Sequence, residues 1–162
     1  VEYDEPTVIK ARARAREAGL DISYKTSEVV KYVKEDHDHY DVVSLLAMMR
    51  HVHRSLLKLK DIPVSKTYGD HLIYDSYEKI ILGKDNPVKT EFNGFISDII
   101  EKSNLHFICS FQDRTGLVER KKSDTEKYFR SLSERIDSFE VFIVPGLSDY
   151  TVVHLTLAPR KP

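Results

Sequence analysis

The chain has 162 residues, 41% of them hydrophobic and 31% charged, which suits one globular domain with a real core and is too polar for a membrane-embedded protein. Lys plus Arg number 25 against 26 Asp plus Glu, a net charge of −1 that excludes any global attraction to nucleic acid or to an anionic membrane, so such binding would need a local patch. A single cysteine excludes an internal disulfide framework and a cysteine-rich zinc site.

Apolar runs are only a few residues long, so no transmembrane helix and no membrane insertion are expected. The chain opens on Val1 without a charged-then-apolar leader. The expectation is one domain over 1–162, a fragment or processed piece of a larger intracellular or viral protein of the cytoplasm or nucleus. Residues 1–38 are expected to form a peripheral helical arm.

In chain order, Pro6 suits the first turn of a helix and Gly19 suits its end. Between them Lys10, Arg12, Arg14 and Arg16 alternate with alanines, so the helix is cationic nearly all round. Asp21–Tyr24 reads as a short strand. Thr26 or Ser27 caps a helix through Val33. The segment Tyr40 to Asp61 is the strongest periodic run. Val42, Leu45, Met49, Val52, Leu56 and Leu59 recur at steps of three and four, which predicts one long central helix near 40–60, capped by Asp41 and stopped by Pro63. Strands are predicted at Val64–Tyr68, His71–Asp75 and Lys79–Leu82. Phe92–Lys102 reads as a helix and Leu105–Phe111 as a strand. Arg114–Lys122 reads as a polar loop around Gly116, and a helix runs from Ser123 or Asp124 to Ile136. Glu140–Val144 and Tyr150–Leu157 close the chain as strands. The fold class is α+β: a mostly antiparallel sheet in the C-terminal two-thirds, packed against helices on one face.

Seven histidines are the richest chemical signal. His37 and His39 lie two apart beside Asp36, Asp38 and Asp41; in an extended segment both imidazoles reach one side, which makes them metal-ligand candidates without a nameable third ligand. His51 and His53 repeat the spacing on a helix, where two residues turn about 200°, so they cannot share a site. His154-Leu155-Thr156-Leu157 resembles one half of the paired His-x-Ser/Thr-x signature of the 2H phosphoesterase family. That resemblance implies His154 as acid or base and Thr156 as a phosphate ligand on a cyclic or 2′–5′ phosphodiester. His106 is the candidate for the second histidine, but Ile108 stands where the second hydroxyl belongs, and His71 with Ile73 departs in the same way. Cys109 alternates with Phe107 and Phe111 and reads as an inert core thiol.

Arg114, Arg120, Lys121 and Lys122 gather in one loop. Together with Arg12, Arg14 and Arg16 they could build a phosphate-binding face. No cofactor motif is present: the chain has no phosphate-cradling P-loop and no G-x-G-x-x-G. Three functions follow as expectations. The first is a non-enzymatic module acting through a protein partner or self-association. The second is RNA binding through the basic loop and the Arg-rich helix. The third is a phosphodiesterase using His154 and Thr156.

Overall fold

The computed structural model describes residues 5–25, 27–46, 48–63, 81, 86–112, 116–143 and 150–160. The chain divides into two compact units, 1–37 and 38–162. The three strands expected between Val64 and Leu82 lie outside the described residues.

The first unit holds α1 (Glu5–Glu17) and α2 (Val29–Glu35). Helix α1 ends as its sequence asks. Gly19 sits at φ 67°, and Leu20 N donates to Ala15 O while Gly19 N donates to Arg16 O, the paired bonds that close a helix on a left-handed residue. Asp21–Tyr24 is not a strand; Tyr24 O instead accepts from the Arg12 guanidinium at 2.7 Å. Helix α2 is capped by Glu28, whose carboxylate accepts from Lys31 N at 2.9 Å, and not by Ser27.

The second unit runs β1 (Tyr40–Leu45), α3 (Met49–Leu59), α4 (Lys89–Lys102), β2 (Ser103–Gln112), α5 (Leu117–Arg120), α6 (Lys122–Arg130), β3 (Ile136–Ile143) and β4 (Tyr150–Leu157). The α+β class expected from the sequence is what forms. Two corrections concern where helices and strands begin and end. Residues 40–45 are a strand and not the first turns of the central helix, which begins at Met49. The β-branched pair Val42-Val43 and the nearly unbroken apolar run suit a strand in a parallel pairing, and the three-and-four spacing carries across the strand–helix boundary by accident. Asp41 therefore caps nothing; it accepts from Asn104 Nδ2 at 3.3 Å. The second correction is at the other end. Leu132 and Ile136 were expected on a helix, but α6 stops at Arg130 and Ile136 opens β3.

Helix α3 ends at a left-handed Asp61 (φ 55°), with Ile62 N bonded to Leu57 O and Asp61 N bonded to Lys58 O, just before Pro63.

The four strands lie in the order β1-β2-β4-β3. Strands β1 and β2 are parallel, while β4 is antiparallel to both β2 and β3. One face is buried. Leu45, Phe107, Cys109, Phe111, Val153, Leu155, Leu157 and Phe139 meet the apolar sides of the helices there, including Val52, Leu56 and Leu57 of α3 and Phe92, Ile96, Ile99 and Ile100 of α4. Phe129 of α6 ties this layer together, 6.4 Å from Phe107 and 6.2 Å from Phe139, ring centre to ring centre. Arg135 locks the layers at one end: its guanidinium donates to Ala158 O, Ile100 O and Asn104 O, joining the ends of α4 and β4 to the start of β2. On the other face, His106, Ile108, His154, Thr156 and Ser138 are half-buried, while Val42, Ser44, Glu140 and Phe142 are exposed.

A candidate site on the open sheet face

Side chains alternate across a strand, so the register decides which residues share the open face. Two rows cross it. Val42 of β1, His106 of β2, Thr156 of β4 and Ser138 of β3 are successive partners. Ser44, Ile108, His154 and Glu140 form the next row. Phe142 follows in the row after, opposite Val152.

His154 is the hub. Its Nδ1 lies 3.1 Å from Glu140 Oε2, and its Nε2 lies 3.1 Å from His106 Nδ1. The two imidazoles are tilted by 40° with centres 5.1 Å apart. Phe142 stacks on His154 at 6.4 Å and 30°. The result is a carboxylate–imidazole–imidazole chain, flanked by an aromatic ring, with both imidazoles half-buried and the carboxylate exposed. Thr156 and Ser138 have no side-chain hydrogen-bond partner among the described residues. As placed, the two histidines bond each other, an arrangement different from a pair flanking a phosphodiester. Ile108, standing where a second hydroxyl would be, is the register partner of His154.

The other sequence candidates scatter. His37 and His39 are exposed in irregular backbone, and no group of three metal-ligating side chains forms among the described residues. Arg12 is engaged with Tyr24 O and, at 3.8 Å, with Glu5; Arg14 and Arg16 are exposed on α1. Arg120, Lys121 and Lys122 are exposed around the start of α6, with Lys121 4.0 Å from Asp124. That stretch is not a plain loop, since α5 forms within it. Arg114 and His71 lie outside the described residues.

His51 is exposed, while His53 is fully buried and bonds Asn86 Oδ1 through Nε2 at 2.8 Å, edge-on to Phe92. That burial makes His53 a core residue. Burial pushes the Cys109 thiol well above its ordinary range, which keeps it protonated and unreactive. Burial also raises the Tyr128 phenol, whose hydroxyl donates to Asn93 Oδ1 at 2.9 Å.

Sequence reasoning had both His106 and His154 in view but not Glu140, Ser138 or Phe142. The Phe-Glu-Val-Phe alternation does put Glu140 and Phe142 on one strand face. Which strand they sit beside is a nonlocal matter that no local pattern states.

Comparison with known proteins finds no family model that matches this chain, no curated protein similar to it and no solved structure similar to it at a significant level. The described helices include none long and apolar enough to cross a membrane.

Proposed function

We propose that the chain is an interaction module of a larger protein, working through protein contacts or self-association made by its open sheet face and strand edges. One observation supports this reading above others. Large apolar side chains stand half-exposed on both outer strands of the described sheet: Tyr40 (37%) and Val42 (51%) on β1, Phe142 (48%) and Ile143 (49%) on β3. Such a surface gains by being covered, at about 25 cal/mol per Å² of apolar area removed from water. A light-scattering series over concentration, paired with pull-downs, tests it. Association that Val42→Asp or Phe142→Asp weakens is the expected result. A strictly monomeric chain that also captures no partner ends this reading.

A second reading is favoured by a separate feature, the parallel β1–β2 pair with its helical connection. In open sheets containing parallel strands, small ligands bind beyond the carboxyl ends of those strands. The corresponding positions here are Leu46, Met48 and Met49 after β1 and Gln112 at the end of β2. This reading rests on architecture alone. A thermal-shift panel of nucleosides and nucleotides tests it: stabilisation by one member, with amide shifts confined to those segments, supports it, and a flat panel removes it.

RNA contact through Arg120, Lys121 and Lys122 is the third reading, supported by their shared exposure. Affinity that falls steeply with salt and is lost on reversing the three charges is its signature.

A further inference from the structure

What His106 offers to a ligand depends on a single proton. A carboxylate oxygen only accepts, so Glu140 Oε2 takes the Nδ1 proton of His154. With His154 neutral, its Nε2 holds a lone pair and must accept from His106, whose own proton is then on Nδ1. His106 Nε2 is left as a bare acceptor, with no partner among the described residues.

We propose that Glu140, His154 and His106 form a proton relay, and that His106 Nε2 is its working end, receiving the hydroxyl of a ring compound laid on the open face against Phe142. This inference goes beyond the interaction reading above, shares Phe142 with it, and is decided by a different measurement. Its proton balance is simple. The ligand O–H bond breaks as Nε2–H forms on His106, and the Nδ1–H bond of His106 breaks as Nε2–H forms on His154. The positive charge then resides on His154, which still donates through Nδ1 to Glu140. The negative charge stays on the ligand oxygen, in the row where Thr156 and Ser138 carry hydroxyls with no partner among the described residues. Phe142, stacked on His154 and half-exposed, supplies the aromatic surface. The titratable groups that bond His154 are Glu140 from β3 and His106 from β2; alternation adds Tyr150 further along β4, and Val42 and Ser44 of β1 do not titrate. His106 is the group that touches the ligand, while His154 and Glu140 are positioning residues.

The test is long-range proton–nitrogen NMR of the histidine rings in the intact chain, with phenol as the probe. At neutral pH, His106 is expected in the Nδ1–H tautomer and not in the Nε2–H form that an unconstrained ring favours. Phenol should shift the His106 Nε2 resonance saturably; His106→Gln should abolish that response, and Phe142→Ala should weaken it roughly fivefold. Glu140→Gln should release His106 to a mixture of tautomers. An Nε2–H His106 at neutral pH overturns the relay, as does a Glu140→Gln variant whose His106 stays locked. A phenol response that survives in His106→Gln overturns the ligand assignment. Should Glu140→Gln fail to fold, the wild-type tautomer and His106→Gln still decide.

Discussion

On one face of the sheet, Phe107, Cys109, Val153 and Leu155 are completely buried. On the other face, one residue along each strand, stand His106, His154, Glu140 and Thr156. The two faces share backbone, register and hydrogen bonds and differ in their side chains and in how deeply those are buried. The difference teaches how far a side chain's chemistry is decided by its cover. A thiol under helices is held protonated and inert. An imidazole on the open side keeps water on hand and can pass a proton along.

Variants can break that contrast, and the largest effect belongs to the covered side. Phe107→Ala removes a ring packed on Phe129 and should cost about 3–5 kcal/mol in urea unfolding. Next comes Arg135→Ala. It strips donors from the carbonyls of Ile100, Asn104 and Ala158 and should cost about 2–3 kcal/mol, seen as a lowered urea midpoint. On the open face the expected cost is small: His154→Phe should move stability by less than about 1 kcal/mol, because the site is not part of the core. A loss of several kcal/mol there would erase the distinction between the faces.

A pH titration sharpens the contrast at a third place, the pair that joins α4 to the end of α3. Glu91 accepts a hydrogen bond from Lys60, which holds its carboxyl below the ordinary range. A depressed folded value means stability that is present above the unfolded carboxyl range and lost as pH falls through the folded one. Comparing Glu91→Gln with the parent at pH 7 and in acid checks this: the gap between them should close in acid. The smallest effect is a gain. Asp61→Gly relieves a left-handed backbone and should add about 0.5–1 kcal/mol.

Much of the architecture could be read in advance. Tyr150–Leu157 alternates so cleanly that the strand forms with those very bounds. The apolar face of α4 and the inert surroundings of Cys109 were equally plain. The first half of the supposed central helix was not, because an apolar run such as Val42-Val43-Ser44-Leu45 satisfies either period. A parallel partner on β2 settles the matter by supplying the backbone hydrogen bonds. His53 shows the same limit on a smaller scale: its place on a helix, turned away from His51, was legible, but its bond to Asn86 was not.

Local periodicity and composition were thus enough for the α+β class, the helix that covers the sheet, the last strand and the protein's near-neutral charge. Those properties depend on residues close together in the chain. The relay belongs to a different level. His106 and His154 are separated by 48 positions, and Glu140 reaches them from a third strand. They meet because β4 inserts between β2 and β3 in one register, and a slip of one residue would turn His154 into the core. Strand order and register are set by the packing of the whole domain, so the site they create came into view only with the folded chain.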